Sequence, residues 1–381
     1  MNELILADRW LLWGLIPLFV IWVAAWWFGR GEDLSEWDHP AKGSGLERFS
    51  RSGGPSAGHG QAEDDIRAMG NQVRGLSRKQ RLLFAREFME QIPEGREFDC
   101  EFRPVDVGGL AAEWVLAPGA DPARRVLYIH GGAFIAGSPN SHRTITSRWS
   151  EVAGAAVLAI DYRLMPENRR TDGIEDCRTA YRWILENGPD AAAPPRWLYV
   201  SGDSAGGNLS LSLAAWVRDA GLRSPDGVIG LSPLTDSTYS GSSIRHNLKT
   251  DIMLGPLFGA LIKIPRPILM WLFVLENRVR PVNPIVSPIF GDLSGLPPTL
   301  VQVSDSEMLY DDARRYVNKA RAAGSPACLQ SWSGLLHVWQ LFYPEVPEAG
   351  AAWKRVAEFL ERSGEAGAGR RSDPATSASA P

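Results

Sequence analysis

Cysteine is scarce: Cys100, Cys177 and Cys328 are the only three in 381 residues. Their odd number and lack of short paired spacings argue against a disulfide framework and a cysteine-based metal site. Histidine is nearly as scarce, with six residues, so an imidazole role has few candidates. Nor is there an excess of positive charge, since 40 Lys and Arg stand against 44 Asp and Glu, a net charge of −4. The chain lacks the broad cationic surface that binds phosphate backbones, and nucleic acid is not an expected partner. No internal repeat is visible. What is present is apolar mass: 44% of the residues are hydrophobic and 22% charged, enough to bury the core of one large domain or two.

Part of that apolar mass is an N-terminal run. From Trp10 to Phe28 there are 19 consecutive residues without a formal charge. At about 1.5 Å per residue, a helix of that length roughly matches a bilayer core of about 30 Å. Trp10 and Trp13 lie at one end and Trp22, Trp26 and Trp27 at the other, where indoles settle at headgroup level. Residues 1–30 are therefore expected to be a single-pass transmembrane anchor, with the lipid bilayer as partner. A cleaved signal peptide fits less well, because Glu3 and Asp8 would fall in its basic segment and Trp residues crowd the small-residue site Val23–Ala25. Arg9 precedes the span whereas Arg30, Lys42, Arg48 and Arg51 follow it, which favours a cytoplasmic location for the domain that follows. Residues 31–60, with Gly43, Ser44, Gly45, Gly53, Gly54, Pro55 and Ser56, read as a flexible linker. The Gly-, Ala- and Ser-rich residues 363–381 read as a disordered tail.

Between these ends, short β-rich runs alternate with helical patterns. Strands are predicted at Val126–Ile129, Ala156–Ile160, Trp197–Val200, Val228–Leu231, Thr299–Val303 and Ala327–Trp332. In Ala205–Arg218, the residues Ala205, Leu209, Leu213, Trp216 and Val217 form one helical stripe, and Gly221 is a plausible stop. The alternation predicts an α/β domain over residues 61–362, a mostly parallel sheet covered by helices on both faces, with chemistry at the carboxyl ends of the strands. One region breaks the pattern. Between Asp236 and Pro281 the apolar runs Ile252–Ile262 and Ile268–Leu275 are interrupted by Lys263 and Arg266, and each is too short to span a bilayer. With the amphipathic Asp64–Ile92, this region is expected to form a helical cap, about 64–95 and 236–285, apolar enough to touch a membrane surface.

The strongest local signal is Gly202-Asp203-Ser204-Ala205-Gly206, following a predicted strand and opening a predicted helix. A nucleophile elbow needs this context: the serine sits on a strained turn, and flanking glycines avoid collisions while its hydroxyl projects from the sheet edge. Upstream, His130-Gly131-Gly132-Ala133 follows a strand at the position that supplies further oxyanion-hole amides, so Gly131, Gly132 and Ala205 are the expected donors. His130 precedes the nucleophile and reads as a loop-shaping residue. His337, beyond the last predicted strand, occupies the place of the general base, whereas His39, His59, His142 and His246 have no comparable support. The acid that orients the imidazole should follow Thr299–Val303. Asp305 and Glu307 both lie there, with Asp311 and Asp312 further along, and chemistry alone does not choose between them.

Over roughly Asp64 to Arg362 the chain resembles the hormone-sensitive-lipase-like branch of the α/β-hydrolases. The resemblance rests on His130-Gly131-Gly132-Ala133, Asp161-Tyr162-Arg163-Leu164-Met165-Pro166-Glu167, Gly202-Asp203-Ser204-Ala205-Gly206-Gly207 and Leu296-Pro297-Pro298-Thr299. The family pattern of acid, any residue, Leu, any residue, Asp matches Glu307-Met308-Leu309-Tyr310-Asp311 in register, which implies Glu307 rather than Asp305 as the acid. Two departures are Ala133, where a third glycine is common, and Asn168-Arg169-Arg170 in place of a His-Pro-rich turn, expected to affect only the scaffold. The resemblance implies a serine carboxylester hydrolase with Ser204, Glu307 and His337 as its triad. It would form an acyl-enzyme from small-molecule esters of short to medium acyl chain or hydrophobic character, lipid-like esters and lactones included. Neither metal nor organic cofactor is implied. The alternatives are a non-catalytic ligand-binding protein on the same fold, or an amide or thioester hydrolase.

Overall fold

The computed structural model describes residues 15–17, 19–24, 26–39, 45–73 and 75–371. Nine strands form one sheet in the order β1-β9-β8-β7-β6-β4-β5-β3-β2. They are β1 (Leu46–Phe49), β2 (Glu101–Asp106), β3 (Ala111–Leu116), β4 (Asp121–Ile129), β5 (Ala155–Ile160), β6 (Trp197–Asp203), β7 (Gly227–Leu231), β8 (Thr299–Ser304) and β9 (Ala327–Trp332). All pairings are parallel except β2 with β3 and β3 with β5. The six predicted strands are all present, each within a few residues of its expected limits.

The central strands read as near-continuous apolar runs because both of their faces are covered. Along β4 the side chains alternate between two core clusters. Leu127 and Ile129 pack on the side of α5 (Arg170–Ile184), α6 (Ser204–Asp219) and α10 (Tyr310–Ala322). Val126 and Tyr128 pack on the side of α4 (Arg143–Ala153) and α11 (Pro347–Arg371), against Trp149 and Trp353. Helix α6 starts at Ser204 and is followed by Gly221 in a left-handed conformation, close to the expected stop.

The remaining helices are α1 (Leu15–Gly29), α2 (Ala57–Gln72), α3 (Arg78–Gln91), α7 (Ser243–His246), α8 (Leu254–Ile262) and α9 (Arg266–Asn277). The two predicted cap stretches are thus largely helical, and α2 packs against the body of the domain. Its buried face, Ala62 and Ile66, packs against Leu335, Leu336 and Trp339, around the loop that carries His337. Helix α3 ties down the turn after β4: Arg86 donates to the Ile135 and Met165 carbonyls and pairs with Glu167.

Two expectations are corrected, and a third falls partly outside the described residues. Residues 31–39 and 45–60, the described part of the expected linker, are not a free tether: a short helical turn at Leu34–Asp38 buries Leu34, and Asp38 pairs with Arg314 and Arg315 of α10. Strand β1 then adds to the sheet edge beside β9. The predicted disorder from residue 363 gives way to α11, which continues to Arg371 and buries Ser363 against Tyr199; residues 372–381 lie outside the described residues. No helix among the described residues is long and apolar enough to cross a membrane alone. Helix α1 is apolar but short, and the expected span began at Trp10, within residues 1–14 that are not described, so the fold does not show an N-terminal transmembrane helix.

Candidate active site

Strand β6 delivers Ser204 to the carboxyl edge of the sheet, where the chain turns at once into α6. Ser204 has a left-handed φ of 51°, a strained conformation for a non-glycine residue. The turn is tight enough to require its glycines. A Cβ on Gly206 would lie 1.9 Å from the Ile129 carbonyl, closer than any packing allows. The motif therefore records how closely α6 passes the end of β4.

Two further strand ends bring the partners. His337, in the loop after β9, places Nε2 2.9 Å from Ser204 Oγ and Nδ1 2.6 Å from Glu307 Oε2. Glu307, beyond β8, is fully buried, and its Oε1 accepts from Ser232 Oγ and the Ser304 N–H, each at 2.8 Å. The carboxylate is thus held by three donors on one side of the imidazole. Burial opposes a charge on His337, but the adjacent Glu307 carboxylate and its hydrogen bond outweigh it and hold the imidazole pKa above the ordinary value.

Asp305, the other candidate acid, does not reach the imidazole. Its exposed carboxylate accepts from Ser333 Oγ and the Gly334 N–H, both at 2.9 Å, and so fastens the turn leading into His337. Asp311 and Asp312 are engaged elsewhere. Asp311 accepts from Ser243 N–H, and Asp312 from the Thr235 and Asp236 amides.

The expected oxyanion donors require one correction. The Gly131 N–H is committed to Asp203 Oδ1 at 2.9 Å, so it is turned away from the space in front of Ser204. Gly132 and Ala133, both at positive φ, have amides with no protein acceptor among the described residues. Ala205, buried at the start of α6, presents its amide beside Ser204 at the positive end of the helix. The Gly132, Ala133 and Ala205 amides are thus the ones placed near Ser204 without another acceptor among the described residues, and the Gly131 amide is not among them.

Several contributors were not read from the sequence. Asp203 was seen only as a motif letter, yet its buried carboxylate also accepts from Tyr128 OH at 2.5 Å and faces His142 Nε2 at 3.5 Å, which fixes the loop after β4. His130 lies behind that loop, stacked on Tyr162 with its Nδ1 2.7 Å from the Gly131 carbonyl. Burial, with His142 alongside, pushes its pKa down to about 3, so it is a neutral structural ring, as its position implied. His59 of α2 accepts the Leu336 N–H through Nε2 at 2.9 Å, one residue before His337. The unusual Arg170 is not remote scaffold. Its buried guanidinium lies 3.8 Å from the Phe134 ring centroid and donates to Asn208 Oδ1 and the Val286 carbonyl, both at 2.9 Å, joining the loop after β4 to α6. Ser232, at φ 48°, and His59 carried no signal that a single sequence could reveal.

A serine on a strand-to-helix turn, with an imidazole and a buried carboxylate aligned behind it, is the arrangement used by serine hydrolases of the nucleophile-elbow class. The comparisons with known proteins agree with that class. A family described as alpha/beta hydrolase fold matches residues 126–341. An acetyl-hydrolase of Streptomyces hygroscopicus is 38% identical over 256 residues, which cover 67% of this chain and 81% of that protein. The carboxylesterase/phospholipase LipF of Mycobacterium tuberculosis is 36% identical over 263 residues, 67% of this chain and 68% of its own. A solved esterase of the bacterial hormone-sensitive lipase family is 35% identical with a TM-score of 0.68, over 79% of this chain and 97% of that one. The chain belongs to the alpha/beta hydrolase fold family, in its hormone-sensitive-lipase-like branch, and is a serine ester hydrolase.

Proposed function

We propose that this protein cleaves carboxylic esters by an acyl-enzyme mechanism with Ser204 as nucleophile, His337 as general base and acid, and Glu307 as the acid that orients the imidazole. The observation that carries the reading is the continuous line of hydrogen bonds from Ser204 Oγ through His337 to Glu307, at 2.9 and 2.6 Å. His337 takes the hydroxyl proton as Ser204 attacks the ester carbonyl, and the Glu307 carboxylate stabilises the imidazolium. The carbonyl oxygen becomes an oxyanion before the Gly132, Ala133 and Ala205 amides. His337 then protonates the leaving alcohol, the acyl group stays on Ser204, and water activated by the same imidazole releases the acid.

The substrate reading is a short- to medium-chain or hydrophobic ester, lipid-like esters and lactones included. It draws support from the apolar cap and from the acetyl-hydrolase and carboxylesterase/phospholipase relatives. We also propose that the N-terminal segment around α1 holds the enzyme at a membrane, with the charge pattern favouring the cytoplasmic side. The side chains of Phe19, Val20, Trp22, Trp26 and Trp27 are exposed, as an anchoring helix requires. The test is hydrolysis of p-nitrophenyl esters of increasing acyl length by the full chain. Activity that peaks at one length and vanishes in Ser204→Ala is expected; equal activity in parent and variant would refute the reading.

A further inference from the structure

Among the described residues, every strongly exposed large hydrophobic side chain lies on α1, α8 or α9, apart from Leu83 of α3. Helix α9 is apolar on opposite sides. Leu269, Met270 and Phe273 face the core, while Ile268, Leu272 and Leu275 are 50%, 45% and 54% exposed. Those three are spaced four and three residues apart, one continuous stripe on the outer face of the helix. Leu257 of α8 adds to the exposed apolar surface. A core helix has no use for a second apolar face, and an outward stripe of this kind marks an interaction surface.

The partner is indicated by how α1 is attached. Trp271 of α9 donates Nε1–H to the Ile21 carbonyl at 2.8 Å, and its ring meets Phe28 edge-on at 5.1 Å. Arg280 donates to the Trp27 and Arg30 carbonyls at 2.9 and 3.1 Å and lies over the Trp27 ring. Helix α1 is therefore joined directly to α9 and to Arg280 just beyond it, and whatever holds α1 brings the stripe beside it. Charge points the same way: between Leu254 and Arg280 there are four cations, Lys263, Arg266, Arg278 and Arg280, against the single acid Glu276, which pairs with Arg78. Such a surface repels a second copy of itself and attracts anionic headgroups. The two helices are bent by 109° at Lys263–Pro265, with exposed Lys263 and Arg266 at the bend, the geometry of a pair lying in an interface rather than crossing it.

We infer that the outer face of α8 and α9 docks onto a lipid bilayer beside α1, so that the cap of the active site rests in the headgroup region and esters resident in the membrane are its substrates. The inference rests on the membrane reading of α1 and extends it to the cap. An apolar side chain inserted at the interface gains free energy in proportion to the area it removes from water, and three in one stripe add to the hold of α1 on the same surface.

The test uses the full chain in vesicles of phosphatidylcholine and phosphatidylglycerol. A nitrobenzoxadiazole label at Leu272→Cys should be quenched by doxyl-labelled phosphatidylcholine, whereas the same label at Ala191→Cys, in an exposed loop before β6, should not. A triple variant, Ile268→Gln, Leu272→Gln and Leu275→Gln, should remain vesicle-bound through α1 and hydrolyse soluble p-nitrophenyl acetate like the parent. Its turnover of an ester embedded in the vesicles should fall by about tenfold or more. An unquenched label at position 272, or undiminished turnover of the embedded ester, would overturn the proposal. Self-quenching of that label with rising protein concentration, without lipid quenching, would assign the face to a second copy instead. The quenching arm needs no turnover, so failure of the esterase reading and failure of the docking reading are told apart.

Discussion

Replacing Glu307 by Gln changes one buried atom from an acceptor to a donor, and the surroundings of that carboxylate allow no harmless arrangement. Glu307 faces three donors: the His337 Nδ1–H at 2.6 Å, and Ser232 Oγ and the Ser304 N–H at 2.8 Å. If the new amide nitrogen points to the Ser304 side, two donors confront each other in a buried site, a mismatch that costs about 1–3 kcal/mol. If it points to His337, the imidazole must carry its proton on Nε2, and it can no longer accept from Ser204. Either way the negative charge that stabilises the imidazolium is lost. The expected loss in kcat is about three to four decades, or roughly 4–5.5 kcal/mol of transition-state stabilisation, with KM little changed. The pH profile gives a second sign. Activity needs neutral His337 and rises as that proton is lost; in the parent, Glu307 holds the imidazole pKa above the ordinary value of 6.5 despite burial. In Glu307→Gln, burial remains and the charge is gone, so the rising limb moves to lower pH. Steady-state ester hydrolysis between pH 5 and pH 9 measures both. A variant within about tenfold of the parent, or one whose rising limb moves upward, would refute the role given to Glu307.

Asp305→Asn should lower kcat by only a few-fold and shift the melting temperature slightly, because the exposed carboxylate fastens a turn and never meets the imidazole; a loss equal to that of Glu307→Gln would exchange the two roles. His59→Phe leaves the buried Leu336 N–H without its acceptor, which should destabilise the fold by about 1–3 kcal/mol in urea titration and lower kcat more than it raises KM. Arg170→Met removes a buried cation, with a pKa lowered to about 10 by burial, along with its hold on Phe134 and Asn208. The variant should stay folded by circular dichroism and lose kcat through a loosened oxyanion loop; unchanged kinetics would make Arg170 a packing residue only.

How far the fold could be read in advance depended on where each element's stabilisation comes from. Strands β4 to β9 are buried on both faces, and their apolar runs announce themselves locally. Strand β1, Leu-Glu-Arg-Phe, pairs on one side only and looks like any polar stretch until β9 is beside it. The same is true of Leu34–Asp38: its Gly- and Ser-rich surroundings suggest a tether, while the contacts that order it come from Arg314 and Arg315, far along the chain. Within the site, Ser204 could be placed by its glycine-flanked motif between a strand and a helix, and His337 by chain order. Choosing Glu307 over Asp305 required a motif register, and the structure explains it, since the first carboxylate after β8 serves the turn and the second the imidazole. The Gly131 amide was beyond reach, because its partner Asp203 is 72 positions away and a motif does not say which of its amides are already spent.

Covalent trapping shows whether Ser204 is the nucleophile activated by His337. The full chain is treated with a fluorophosphonate probe and digested, and the modified peptide is identified by mass spectrometry. A single adduct on Ser204 is expected, absent from Ser204→Ala and formed far more slowly in His337→Ala. An adduct on another residue, or a folded protein that hydrolyses esters yet never labels at Ser204, would contradict it.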